Sequence, residues 1–472
     1  MIPHDAMKNL AGVTMANRRS VLLGLGASAV MPAAARALPS DPDVIVIGAG
    51  SAGLSAARTL IARGQSVVVL EAANRIGGRA HTESTSFGVP FDRGCSWLQG
   101  PTDLPYVAMA RDWGFTLLDH DDAGEALFVA DQRATSAEQK TYWRAWAAVE
   151  AALDAAGAAG RDVSAASVMP VDQPGIGIAQ TWMGPMDFAV DFTELSTMDV
   201  YTYGNLGTDY MIREGYGTLV TRMGRDLPVQ LETPATRIDW SGEGVRVETP
   251  RGTLSARACI VTVSTGVLAA DQIRFTPALP EWKTQAISDV PMGLLTKIGL
   301  EFDGARFGLA PNDWLTYWVG PKMPARACYF LSFPFDFNLM IGFVGGQIGW
   351  EMAREGEAAT VDFALGELAK ILGSDVRKHF VRGVATDWAT NPLTWGAYAA
   401  ARPGRHDARA VLGRPVGERV FFAGEALAGP YIQLCGGAFL SGEATANAVV
   451  ASLDCDTCAS RKQRLNSRVI QP

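Results

Sequence analysis

Residues 48–53 read GAGSAG, with glycines at Gly48, Gly50 and Gly53, and Glu71 stands 18 residues beyond the last of them. Glycines at that spacing, set between a strand and a helix, bring backbone N–H groups up to an anion, and an acid about 20 residues on suits a ribose hydroxyl. Lys297 stands in GLLTKIGLEFDG, and Trp388 and Tyr398 in DWATNPLTWGAYAAARPG. Period-2 alternation puts Ile298, Leu300 and Phe302 on one face of a strand and Lys297 with Glu301 on the other. By periodicity alone this is a solvated or ion-paired lysine, and the two aromatics are core filling. Of the six cysteines, Cys95, Cys259, Cys328 and Cys435 lie among apolar neighbours, as buried free thiols do. Cys455 and Cys458 form a lone CxxC near the end, without a second pair or nearby histidines. That spacing suits a local disulfide or an idle tail and gives no metal site.

The elements around the glycines decide what they do. Asp43 to Ile47 is a short β-branched run of the kind buried in a parallel sheet. Leu54 to Gly64 reads as a helix, and Ser66 to Leu70 as a second buried strand closed by Glu71. This βαβ unit predicts a dinucleotide site: Gly48 permits the turn, Gly50 lets backbone approach a pyrophosphate, and Gly53 packs helix on strand. Further along, 136–160 is Ala-rich and helical, 161–213 is rich in Met, Pro, Gly and aromatics, and Ala359 to Leu372 has helical spacing ending at Gly373.

The chain has 472 residues, enough for about three domains, and a net charge of −8 that argues against a nucleic-acid surface. Its N-terminal stretch carries twin arginines, Arg18 and Arg19, an apolar run from Val21 to Val30, and Ala35-Arg36-Ala37 of the A-x-A type. This resembles a twin-arginine export signal over residues 1–37, which implies the export machinery as partner and a periplasmic or secreted product. The apolar run is shorter than a membrane span, and no later segment reads as one.

The residues just beyond Glu71 narrow the dinucleotide. EAANRIGGRAHT adds a second glycine pair, Gly77 and Gly78, and then Arg79. With it the chain resembles the flavin-containing amine oxidase superfamily, which spans polyamine oxidases, monoamine oxidases and histone demethylases. Four further blocks carry the resemblance: GCSWLQG at 94–100, EGYGTLVTRMGRDLPVQLETPATRIDW at 214–240, VTVSTGVLAADQIRFTPALPEWKTQAI at 261–287, and RVFFAGEALAGPYIQLCGGAFLSGEATANAV at 419–449. The resemblance implies an α/β fold. A Rossmann-type FAD domain (42–120, 214–290 and 396–455) intertwines with an α+β substrate domain (121–213 and 291–395), leaving a C-terminal tail at 456–472. It implies FAD contacts at Gly48, Gly50, Ser51, Gly53, Glu71, Ala72, Gly77, Gly78, Arg79, Ser96, Trp97, Ala235, Glu425, Leu434 and Cys435, with Arg79 near the pyrophosphate and a helix from Gly437 aimed at the flavin. Ala397 stands where monoamine oxidases link flavin to cysteine, so FAD is expected to be non-covalent. Lys297 matches the family lysine that promotes flavin reoxidation by O2, and Tyr398, with Trp388 nearby, matches the aromatic cage. Leu434 replaces the second cage tyrosine, and Gln99 replaces a histidine of polyamine oxidases, so both belong to the substrate pocket.

The expected activity is FAD-dependent oxidation of a small amine (polyamine, diamine, monoamine or cyclic amine) by hydride transfer to flavin N5, with O2 as partner substrate. No metal is needed, and a homodimer is compatible with the family. An L-amino-acid oxidase is the alternative, with Arg213, Arg326 and Arg402 as candidates for its carboxylate. A carotenoid or porphyrinogen desaturase would need neither Lys297 nor an amine cage.

Overall fold

The computed structural model describes residues 41–469 except 101–103, 171–172 and 205, and for 455–469 the helical backbone alone. Arg18, Arg19, the A-x-A site and the side chains of Cys455 and Cys458 lie outside the described residues.

The strands Val44–Ile47 and Val67–Leu70 occupy the middle of a five-stranded parallel sheet. Its order is Val229–Gln230, Val67–Leu70, Val44–Ile47, Ala258–Val261, Val420–Phe422. Every residue of the two middle strands is buried, as unbroken Val/Ile/Leu runs require when both faces are covered. Between them runs the helix Ser51–Ala62, with Gly64 at φ 80° just past its end. That helix packs on the long helix Cys435–Val469. A Cβ on Gly442 would sit 2.0 Å from the Ala52 carbonyl oxygen, so only glycine allows the two backbones so close. The long helix starts two residues before Gly437 and runs past 455, through most of the stretch expected to be a tail.

A second, mixed sheet has seven strands, in the order Phe380–Ala385, Leu295–Phe302, Leu339–Gly345, Tyr329–Ser332, Trp314–Tyr317, Glu125–Val129, Gln132–Arg133. One face packs on the helix Glu357–Leu372, through Leu300, Val361, Leu365 and Leu368. The other face meets Phe87, Phe91 and Trp182. Both faces of Leu295–Phe302 are therefore covered, and only Leu295 and Glu301 reach solvent in part. The helix Ser136–Ala158 begins at a capping box in which Thr135 and Glu138 satisfy each other's backbone N–H.

Candidate active site

A cavity of about 1250 Å³ opens at the C-terminal edge of the parallel sheet and runs to the seven-stranded sheet. This is where ligands bind in open α/β folds. Its cofactor-sized end begins at the glycine turn. Gly48 has φ 104°, and a Cβ on Gly53 would fall 1.9 Å from the Gly48 carbonyl oxygen, so the helix can start there only on glycine. Ala49 N–H donates to Glu71 Oε2 at 2.6 Å, and Gly77 N–H to the Ala49 carbonyl at 2.8 Å. Gly50 and Gly77 pair as an isolated bridge. The two glycine motifs are thus one cradle, with Glu71 as its clasp. Burial holds the Glu71 carboxyl above its ordinary range against these donors.

Opposite the cradle, Arg79 Nη1 donates to the Ala397 carbonyl at 2.8 Å and to Glu425 Oε1 at 2.9 Å. One arm of its guanidinium is committed to protein, so the bidentate grip on a pyrophosphate expected of it is restricted. Glu425 Oε1 also accepts from Ala399 N–H at 3.1 Å, while its Oε2 is buried and has no hydrogen-bond partner. Such an atom costs free energy unless a ligand hydroxyl or N–H reaches it. Ser51 gives its hydroxyl to the Cys435 carbonyl at 2.7 Å, joining the starts of the two helices. Gly48, Gly50, Ser51, Glu71, Ala72, Gly77, Gly78, Arg79, Ser96, Trp97, Ala235, Glu425, Leu434 and Cys435 all line the cavity; Gly53 lies beneath it. A Cβ-free cradle at a helix N-terminus, an acid at ribose distance in sequence and the unpartnered Glu425 oxygen fit a flavin dinucleotide.

Lys297 is 5% exposed, which overturns the solvated lysine that periodicity suggests. The covering of both sheet faces buries it. Its Nζ donates to the Gly94 carbonyl and the Ser96 hydroxyl, and to the Asp92 carbonyl at 3.3 Å. The Trp97 and Phe343 ring centroids lie 5.5 and 5.8 Å away. Burial lowers its pKa to about 8, against the pull of the Asp92 carboxylate and Cys95.

Trp388 is buried, and its Nε1–H donates to the Arg93 carbonyl at 2.9 Å; Tyr398 donates its hydroxyl to the Met186 carbonyl at 3.0 Å. Both line the cavity, as do Gln99 and Leu434. Trp97 stacks on Trp314 at 5.5 Å, and Trp182 meets Trp314 edge-on at 4.9 Å.

Sequence reasoning missed two carboxylates here. Asp187 is exposed to the cavity and enclosed by protein, and burial with the Asp209 charge raises its pKa to about 7. Asp209, opposite Gln99 on the neighbouring strand, is raised to about 6 by burial and by Asp121. Burial, and then both carboxylates, raise the Tyr203 hydroxyl; burial, and then Asp187, raise that of Tyr398. No local motif marks either aspartate; the only signal was the aromatic and Met-rich composition of 161–213. Arg213, Arg326 and Arg402 do not line the cavity: Arg213 stacks on Phe337, Arg326 on Phe363, and Arg402 donates to the Ser288 carbonyl. Cys95 and Cys435 also line the cavity and are half-buried, and among the described residues only Cys259 and Cys328 are fully buried thiols.

The fold and this site define a flavoprotein oxidoreductase. The family model for flavin containing amine oxidoreductases matches residues 51–162 and 187–450. Polyamine oxidase 4 of Oryza sativa subsp. japonica is 30% identical over 462 residues, covering 89% of this chain and 90% of that protein. Among solved structures, putrescine oxidase bound to putrescine superposes with a TM-score of 0.72 at 20% identity, covering 87% of this chain and 99% of that one. Cyclohexylamine oxidase from Brevibacterium oxydans IH-35A gives 0.69 at 24%, covering 88% and 100%. The chain belongs to the flavin-containing amine oxidase family and is an amine-acting oxidoreductase with the fold of that family. Among the described residues, no helix is long and apolar enough to cross a membrane.

Proposed function

We propose that the protein is an FAD-dependent oxidase of amines that carry a second cationic nitrogen, the diamines and polyamines. Asp187 and Asp209 carry this reading. Two carboxylates that burial and a neighbouring acid (Asp209 for Asp187, Asp121 for Asp209) keep partly protonated near neutral pH become favourable partners for a cation entering the cavity they line. Bound FAD supplies the hydride acceptor for the carbon next to nitrogen and passes the electron pair to O2 to give H2O2, and the imine hydrolyses to an aldehyde.

The chain's own residues do the rest. Glu71, Gly50 and Gly77 shape the dinucleotide cradle, and Ala397 offers no thiol, so FAD is held non-covalently. Tyr398, Trp388 and Trp97 line an aromatic chamber that favours a neutral reacting amine over its ammonium form. Asp187 and Asp209 hold the other nitrogen as a cation. Lys297 keeps a positive charge beside the chamber, where negative charge develops during reoxidation. The relatives point the same way: one is a polyamine oxidase and one binds putrescine. Cyclohexylamine oxidase, a neighbour of similar coverage, marks a monoamine as the outcome to test against. Export through the twin-arginine route would suit this cofactor protein, since loading can precede transport. Arg18→Lys with Arg19→Lys should then leave uncut protein in the cytoplasm, and unchanged export would refute it.

The decisive experiment is anaerobic bleaching of the flavin spectrum across a panel of diamines, polyamines, matched monoamines and amino acids. Diamines should bleach at much lower concentration than monoamines of equal length. Equal response to both would remove the role of the aspartates, and bleaching by amino acids alone would sink the reading.

A further inference from the structure

His120 lines the cavity, and the proposed reaction gives it no part. Its side chain is buried and makes a hydrogen bond through each ring nitrogen. Trp97 Nε1–H meets Nδ1 at 3.2 Å, and Nε2 lies 2.9 Å from the Asn312 carbonyl oxygen. Neither partner can change its role: an indole nitrogen only donates and a carbonyl only accepts. Nδ1 must therefore be bare while Nε2 carries the hydrogen. One neutral tautomer alone satisfies both bonds.

The fold fixes the imidazole from behind. His120 follows the strand Leu117–Asp119, and its own N–H donates to the Asp209 carbonyl at 2.9 Å. Asn312 has φ 66°, a left-handed conformation that asparagine tolerates better than most residues. Its N–H donates to the Ser332 carbonyl at 2.7 Å, and its Oδ1 accepts from Phe335 N–H at 2.7 Å, so its carbonyl is a fixed acceptor. On the cavity side, the Trp97 indole stacks on Trp314 with 23° between the planes and leans on Phe343 at 5.9 Å. Lys297 Nζ is 5.5 Å from its centroid. Stacking alone leaves the terminal torsion of an indole broad, and a directional bond to its N–H removes that freedom. An imidazolium would set Nδ1–H against Trp97 Nε1–H and break the bond. Burial keeps the His120 pKa below the ordinary imidazole range, against the Asn312 bond and the charges of Asp121, Asp313 and Asp119.

We propose that His120 is a positioning residue that acts through Trp97: as its neutral Nε2–H tautomer it locks the indole into place as a wall of the amine chamber. The bond between Trp97 and His120 and the bond between His120 and Asn312 form one chain, from the chamber wall to a rigid backbone carbonyl. The inference rests on the oxidase reading for the reaction that the wall serves. The chain itself rests on the two bonds.

The test is anaerobic stopped-flow reduction of the flavin-loaded protein by putrescine. His120→Leu leaves the indole N–H without an acceptor. It should lower the limiting rate of flavin reduction roughly 10- to 100-fold, as a misplaced wall does, with half-saturation little changed. His120→Gln supplies an acceptor and a donor again and should recover most of that rate. Trp97→Phe keeps an aromatic wall without the N–H. In that background His120→Leu should cost no further rate, because residues acting as one unit do not add. Full additivity of the two substitutions, or an unchanged rate in His120→Leu, overturns the proposal. Nitrogen-15 NMR of the histidine rings gives a second reading that needs neither a substrate nor a His120 variant. At neutral pH the wild-type His120 should show a bare Nδ1 and a protonated Nε2, and the Nδ1 signal should move in Trp97→Phe. A hydrogen on Nδ1, or an Nδ1 signal indifferent to Trp97→Phe, overturns the proposal as well. Failure of every amine to bleach the flavin would strike the oxidase reading, and the NMR result would still decide the link between His120 and Trp97.

Discussion

Lys297 owes its properties to what covers it. Its ammonium has carbonyl and hydroxyl partners and two ring faces in place of water, and its pKa falls to about 8. A charge so placed stabilises developing negative charge far better than an exposed one, and removing such a group costs about 3–4 kcal/mol, or roughly 100- to 1000-fold in rate. Lys297→Met keeps the apolar stem. Stopped-flow measurement should show flavin reoxidation by O2 slowed by about that factor, with anaerobic reduction little changed. The wild-type reoxidation rate should fall as pH rises through about 8, where the cation is lost, and that limb should vanish in the variant. Equal slowing of both half-reactions would mean that Lys297 only shapes the chamber.

Asp187 gives an opposite pairing of stability and function. Its folded-state pKa of about 7 lies above the ordinary 3.8, so the folded protein holds a proton that the unfolded chain has released. The stability it contributes is complete below pH 3.8 and is lost as pH rises through about 7. Asp187→Asn should therefore raise Tm at pH 8, while KM for a diamine rises with little change in kcat. Thermal melts and steady-state kinetics on the same variant read both, and a lower Tm with unchanged KM would refute the assignment.

At the scale of elements, one buried carboxylate ties the substrate region to the segment that carries Tyr398. Asp199, in the helix Thr197–Thr202, accepts from Arg409 at 2.6 and 3.0 Å, from His406 at 2.7 Å and from Ala401 N–H at 2.8 Å. The Arg409 charge, with these bonds, overcomes burial and holds its pKa at about 2. Removing one partner leaves a buried guanidinium without its counter-charge, and breaking such a pair costs about 3–5 kcal/mol. Asp199→Ala should lose that much in denaturant unfolding. The stability that Asp199 contributes is present above pH 3.8 and is lost as pH falls through about 2, so the variant's deficit should shrink in acid. A deficit independent of pH would assign the loss to packing.

For the whole molecule, the cavity joins the parallel sheet to the mixed sheet, so cofactor binding and folding are linked. Ligand held only by the folded state stabilises it by mass action. Added FAD should raise the Tm of flavin-depleted protein in proportion to the logarithm of its concentration. Acid precipitation should release yellow FAD into the supernatant; colour kept in the pellet would mean a covalent link in spite of Ala397.

The βαβ unit was legible because its signal is local. Unbroken Val/Ile runs, a glycine turn and an acid at fixed spacing depend on near neighbours, and they predicted the strands Val44–Ile47 and Val67–Leu70 and the helix between them. The helices at 136–158 and 357–372 were legible for the same reason. The ordered motifs also marked the residues that line the cofactor end of the cavity, since each motif carries its own backbone geometry. Tertiary structure alone decided that Lys297 is buried, because the second face of its strand is covered by residues far away in sequence. It alone placed Asp187 and Asp209 on the wall of one cavity. Periodicity reports which side chains share a face; only packing determines whether that face meets water or another charge, and the chemistry depends on that.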